Sequence, residues 1–407
     1  MNHIRQFLLG TLAASITTTV LYAQAQDTLL TEAELATQET FTSLARALAE
    51  PDKVYKLNIS NTYTKKLPPR FTELKKLQVL ILNNNPLTEL PKNIGELRNL
   101  QVLSAAGCLL KTIPPSIGKL QNLLSLSFAS NPLTSALPKD IAKLQKLRVL
   151  DLSGIGLKGT APEFLSSLKS LNILSLAHNK LTALPASFGK LDALVQLDLS
   201  HNQLSVLPAT LQNCSLLVAI DLGMNVFRVF PEVLTTLPLL QQVILDENPL
   251  EVWSPRIGLM NNLRLLSLVN NKLTVFPKEL CLLDSLISLQ AKNNRFTALP
   301  AEISNMKSLR LLDVSYSDLP ELPKEIGQLK ELRTLNVAFN QLKELPEELG
   351  ELKNLVYLNA SSNFLTSLPK SITNLTNLTT VLISGGNKIP APELERFRAA
   401  IPQASFE

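Results

Sequence analysis

The sequence predicts an α/β solenoid, a curved right-handed horseshoe of short stacked repeats. A parallel β-sheet should line its concave face, short irregular helical or extended turns its convex face, and helical caps its two ends. Three observations point there. Leucines open successive segments at Leu77, Leu100, Leu123, Leu147, Leu171, Leu194, Leu217, Leu240, Leu263, Leu286, Leu309, Leu332, Leu355 and Leu378, after an earlier unit at Val54. Every step between those leucines is 23 residues except the two of 24 that begin at Leu123 and Leu147. The composition is 45% hydrophobic but only 5% aromatic, so apolar surface arrives as many small equal portions. A chain of 407 residues would ordinarily suggest two or three separate cores. Self-similarity at a fixed period outranks that expectation.

The first element is a leader. Arg5 supplies a positive start, residues 7–22 are apolar but softened by Thr17, Thr18 and Thr19, and Ala23-Gln24-Ala25 has the small-x-small form of a cleavage site. Residues 1–25 therefore read as a signal peptide rather than a membrane anchor. The expectation is an exported protein, secreted, periplasmic or on the cell surface, with no membrane insertion after cleavage. Losing Arg5 lowers the formal net charge from +5 to +4. The three cysteines, Cys108, Cys214 and Cys281, are odd in number and lie in different repeats. With strands about 4.8 Å apart, Cys108 and Cys214 would sit on the order of 19 Å from each other, beyond disulfide reach. They read as small buried fillers.

Residues 26–53 form the expected N-terminal cap. Phe41, Leu44, Ala45 and Leu48 follow helical spacing and stop before Pro51, so a helix over residues 40–50 should cover the first strand. Residues 54–387 hold about 15 repeats by the leucine ruler. Each unit reads as in Leu332 to Asn354, "LRTLNVAFNQLKELPEELGELKN". Alternation through Leu335 and Val337 means a short strand with those side chains inward and Thr334, Asn336 and Ala338 outward. The Leu-Pro step ends strand geometry, because proline has no ladder donor. A single repeat cannot bury its own apolar edge, so neighbours must stack.

The asparagine two residues before the leucine of "NQL" has a structural duty. Where the chain leaves the strand, backbone groups lose their ladder partners, and a buried amide can donate to one turn and accept from the next. Asn85, Asn131, Asn179, Asn202, Asn225, Asn248, Asn271, Asn294, Asn340 and Asn363 hold this place. Thr62, Cys108 and Ser317 take it elsewhere and can replace part of the bonding, whereas Ile155 and Gly386 cannot.

The pattern "LxxLxLxxNxLxxLPxxIGxLxx", as in Leu77 to Asn99, resembles the leucine-rich repeat family over residues 54 to about 387. The resemblance implies a parallel solenoid whose usual work is to bind a protein or other macromolecule on its concave sheet. The repeat from Leu147, "LDLSGIGLKGTAPEFLSSLKS", departs toward a 24-residue form. A tolerated insertion on the outer turn accounts for it. At residues 388–407 Pro392 is placed to start a helix carrying Leu394, Phe397 and Ile401 on one face, the C-terminal cap. Enzymes of the family usually carry a kinase, GTPase or ubiquitin-ligase domain beside the repeats, and none is expected here.

No catalytic residue, metal site or cofactor is assigned. The chain has no Gly-rich phosphate loop, no Gly-x-Ser-x-Gly and no His-Glu-x-x-His, the patterns that would carry such chemistry. Lys65, Lys66, Lys75, Lys76, Lys139 and Lys143 are scattered over outer turns without interleaved aromatics, so a nucleic-acid partner is not expected. Function concentrates in the outward columns. One runs through His178, His201, Met224, Glu247, Tyr316 and Phe339, each just before a ladder position; another carries Asp198 and Asp221, with Asp246 close by. His178 and His201 fall at equivalent positions of adjacent strands, their roots about 5 Å apart. With Asp198, Asp221 and Glu247 they would form a polar binding centre whose affinity varies between about pH 5 and 8. Tyr316, Phe339 and Tyr357 add aromatic surface that serves either a partner or mutual packing. Two readings of function remain: a non-enzymatic binding protein holding a protein, peptide or glycan on its concave sheet, and a structural or self-associating envelope component. Oligomeric state is left open.

Overall fold

The computed structural model describes residues 29–406, and the expected leader at 1–25 lies outside them. The described residues divide after Leu199 into two compact units.

In the first unit the repeat strands are Lys56–Asn58, Val79–Ile81, Val102–Ser104, Ser125–Ser127, Val149–Asp151, Ile173–Ser175 and Gln196–Asp198. Each pairs in parallel with the next, residue for residue. The middle residue of every strand points inward: Leu57, Leu80, Leu103, Leu126, Leu150, Leu174 and Leu197 are all buried. The cap is built from helices Glu32–Thr37 and Leu44–Ala49. The expected helix over residues 40–50 is shorter than that, because Thr40–Phe41 forms a strand that pairs with Lys56 and Leu57. Phe41 is buried by extending the sheet rather than by riding a helix, and Ser43 caps the helix that follows by accepting from Arg46 N–H. The extra residue of the Leu147 repeat is absorbed outside the main sheet. Lys158–Thr160 pairs with Lys180–Ala183 in a two-stranded ribbon whose register shifts between Gly159 and Thr160.

In the second unit eight repeat strands run from Ala219–Asp221 to Thr380–Leu382, again parallel and in register. Helix Ala391–Ala400 buries Phe397, and Ile401 is buried just beyond it. A final strand that the sequence did not suggest, Ser405–Phe406, pairs with Thr380 and Val381. Between strands, 3-10 turns follow the Leu-Pro step, as at Ala209–Asn213 and Glu347–Glu351. Turns this tight let neighbouring repeats approach closely: a Cβ on Gly350 would collide with the Ser371 backbone of the next repeat.

In both units asparagine side chains bridge the turns of successive repeats. Asn131 Nδ2 donates to Ala105 and Phe128 O at 2.8 Å each, while Leu110 N–H donates to its Oδ1 at 2.9 Å. Asn248 repeats the pattern with Leu222 O, Leu245 O and Phe227 N–H, all at 3.0 Å. Asn85, Asn179, Asn271, Asn294, Asn340 and Asn363 donate to the preceding repeat in the same way. Asn225 accepts from Leu204 N–H at 2.9 Å, and Asn202 donates to Ser200 O at 3.2 Å. Two substitutes behave differently from expectation. Ser317 Oγ is buried without a hydrogen-bond partner, since its side chain is shorter than that of asparagine. Gly386 leaves no gap, because Asn387 one residue later donates to Ala360 and Ile383 O and accepts from Leu365 N–H.

Candidate partner-binding face

The residue just before each ladder position lies in the left-handed backbone region. In the second unit His201, Met224, Glu247, Asn270, Asn293, Tyr316, Phe339 and Ser362 have φ of 53–58°, and Gly385 has 68°. This conformation turns the chain out of the strand, and it suits glycine or asparagine; other side chains crowd their own backbone there at about 1–2 kcal/mol. Asn270, Asn293 and Gly385 are relaxed choices. His201, Met224, Glu247, Tyr316 and Phe339 are not, so the backbone does not account for their presence. Asparagine and glycine recur in this column (Asn61, Asn84, Gly107, Gly154), and that recurrence was the available sign of its geometry.

Tyr316 and Phe339 stack with ring centroids 4.0 Å apart and planes 13° from parallel, yet remain 41% and 45% exposed. Lys292 Nζ sits 4.8 Å from the Tyr316 ring centre, a cation over an aromatic face. Tyr357 does not continue this row. Its register partners are Thr334 and Thr380, at the head of the strand, and the residue that follows Phe339 in the column is Ser362. Beside the stack a groove is lined by Glu247, Asn270, Lys272, Asn293 and Arg295. Lys292, Lys272 and Arg295 escaped the sequence reading because the repeat pattern says nothing about which long side chain folds over which neighbour.

The expected acidic centre is mostly engaged with its own backbone and serines. Asp246 Oδ1 accepts from Ser267 Oγ at 2.6 Å and Val269 N–H at 2.9 Å. Asp313 holds Ser315 through its N–H and its hydroxyl, and Asp151 holds Ser153 likewise. Asp198 accepts from Ser175 Oγ at 3.4 Å. Asp221, expected on the outward surface, is 1% exposed and accepts from Gly223 N–H at 2.8 Å. Asp151, Asp221 and Asp313 accept from the amide two residues on and so close a local turn at the strand exit, whereas Asp246 and Asp198 accept from residues of a neighbouring repeat. His178, exposed, belongs to the first unit, and His201, half-buried, to the second; Met224 is half-buried and Glu247 exposed.

Among the described residues no group of three or more His, Cys, Asp or Glu side chains is arranged to hold a metal ion. All three cysteines are buried free thiols. Burial, with the charges of Glu302 and Glu279 adding, pushes Cys281 up to about 12, so it stays a protonated, inert filler. Cys108 Sγ occupies a ladder place and donates weakly to Leu82 O at 3.4 Å. No helix among the described residues is long and apolar enough to cross a membrane.

Comparisons with known proteins agree with this architecture. A family model described as leucine-rich repeat region matches residues 74–152 and 302–388, and a second, leucine rich repeat, matches residues 153–204. No curated protein sequence matches the chain. Among solved structures, a leucine-rich repeat protein of Leptospira interrogans is 36% identical, with a TM-score of 0.84 over 91% of this chain and 100% of that one. A plant peptide hormone receptor solved with its peptide is 26% identical, with a TM-score of 0.62 over 86% of this chain and 66% of that one. An internalin, InlJ of Listeria monocytogenes, is similar in fold at 20% identity and a TM-score of 0.67, over 87% of this chain and 70% of that one. The repeat strands, the ladder and these matches together make the chain a member of the leucine-rich repeat family.

Proposed function

We propose that this is an exported, non-enzymatic binding protein that holds an extended peptide or protein segment along the left-handed column of its second unit. The observation that carries the reading is the exposed stack of Tyr316 on Phe339 under Lys292. Large aromatic side chains in a backbone conformation that disfavours them give up local stability, and a ring pair left open to solvent is the kind of anchor on which binding energy concentrates. The groove lined by Glu247, Asn270 and Asn293 leads toward the stack, since Asn293 N–H donates to Ser315 O in the strand exit that carries Tyr316. Polar groups along the groove suit a peptide backbone, and the rings suit one apolar side chain at its end. The plant receptor at 26% identity was solved with a peptide hormone, which supports a peptide or protein ligand for this chain over other classes. The signal-peptide pattern read in the sequence at residues 1–25 is the basis for proposing export.

The test is selection of a random displayed peptide library against the immobilised full chain, followed by titration of a selected peptide. Phe339→Asn relaxes the backbone while removing the ring. The expected result is a loss of affinity of at least about tenfold with an unchanged or higher melting temperature. Equal affinity in wild type and variant would overturn the proposal, as would selected peptides that are displaced by no change in the column.

A further inference from the structure

A second surface of the same unit has no part in this reading. In the second unit the position four residues after the ladder residue points to solvent, just before the large apolar residue that ends the extended segment, such as Leu207, Phe230, Trp253 or Phe276. In four consecutive repeats that position is valine: Val206, Val229, Val252 and Val275 are 64, 52, 52 and 64% exposed. The fold does not require valine there, because other repeats place Glu89, Thr112, Glu321, Glu344 and Ser367 at the same position. The stripe runs about 14 Å at strand spacing, and backbone bonds tie its two central residues together. Val229 and Val252 form a parallel bridge, and Phe230 N–H donates to Val252 O at 2.9 Å.

The charges beside the stripe repeat its symmetry. One residue before the valines stand Ser205, Arg228, Glu251 and Thr274 in order, with Arg228 and Glu251 paired at 3.4 Å. On the other side Glu232 and Arg256 pair at 3.3 Å. Both pairs lie in the two central repeats, a cation and an anion on either side of the midpoint between Val229 and Val252. A twofold axis across the stripe at that midpoint would set Val206 against Val275 and Val229 against Val252 of a second copy. The same operation would set Arg228 against Glu251 and bring Glu232 next to Arg256.

We propose that the valine stripe is the contact of a twofold dimer, its occupant an antiparallel second copy of this chain. An isologous contact must be self-complementary, and this surface meets that condition in both shape class and charge. Apolar burial supplies affinity, and the crossed Arg228 and Glu251 pairs fix register, since an antiparallel pairing shifted by one repeat would set Arg228 against Arg228 or Glu251 against Glu251.

Sedimentation equilibrium of the full chain is the direct test. Wild type should reach twice the 44.7 kDa chain mass with rising concentration. Val229→Glu with Val252→Glu uses a residue that other repeats carry at this position, so the melting temperature should hold while the dimer Kd rises at least about 100-fold. Arg228→Glu alone should weaken the dimer, and adding Glu251→Arg should restore it. Val206→Cys with Val275→Cys, too far apart to join within one chain, should give a disulfide-linked dimer under mild oxidation; the native thiols are buried. A wild-type mass that stays monomeric to millimolar concentration, a dimer unaffected by the glutamates, or failure of the charge exchange to restore association would overturn the proposal. So would a monomer that binds phosphatidylcholine vesicles through the same valines, an outcome that assigns the stripe to lipid.

Discussion

Two columns of the second unit, one residue apart in sequence, follow opposite rules. The ladder residues Asn225, Asn248, Asn271, Asn294, Asn340 and Asn363 are nearly constant and buried. The residues just before them, Met224, Glu247, Asn270, Asn293, Tyr316, Phe339 and Ser362, share one backbone conformation and almost nothing else. The first column answers to hydrogen-bond accounting, which admits one side chain of the right length. The second answers only to a φ value that most of its side chains dislike. Adjacent residues on one turn can therefore divide labour, the inward one holding the fold and the outward one free to vary with the partner.

The largest expected effect comes from the inward column. Asn248→Ala removes the bonds donated to Leu222, Leu245 and Asp246 O and the one accepted from Phe227 N–H and should lower unfolding free energy by about 3 kcal/mol, read by urea titration. Asn387→Ala should act in the same direction although it lies one residue off the ruler. An unchanged midpoint in either would erase the contrast between the columns.

Smaller changes sharpen the contrast from both sides. Ser317→Asn should stabilise by about 1 kcal/mol by giving the buried Ser317 place, whose hydroxyl has no partner, the amide its neighbours use. Met224→Asn should also stabilise, by about 1 kcal/mol, by relieving the left-handed strain at φ 54°. If Met224→Asn destabilises instead, the outward column holds structure after all.

Near neutral pH the smallest effect is electrostatic, because it appears only as pH rises above 9. Cys281 is raised from 9.0 to about 12 by burial, so the native state keeps a proton that the unfolded chain releases first. Its contribution is fully present below pH 9 and is lost as pH rises toward 12. Cys281→Ala should flatten the decline of melting temperature over that range, and alkylation by iodoacetamide at pH 8 should require unfolding.

Much of this molecule was legible in the sequence because a repeat makes long-range contacts local in register. Once the 23-residue step is seen, every repeat strand, its inward aliphatic side chain and nearly every ladder asparagine follow, since each repeat must bury the same edge against a similar neighbour. The candidate face was legible only as positions. That Asp221 is buried, that Asp246 and Asp313 clasp serines, and that Tyr357 leaves the aromatic row depend on which neighbour each side chain meets.

The sequence by itself determined the period, the inward chemistry and the class of fold, because burial selects residues by size and polarity and leaves a periodic record. Only the tertiary structure decided the shift of the ladder to Asn387, the sheet strands formed by Phe41 and Phe406, the stacking of Tyr316 on Phe339 and the alignment of Val206, Val229, Val252 and Val275 into one exposed stripe. Each of these joins residues distant in sequence, where the outcome depends on distance and direction in space and the sequence carries only identity and order.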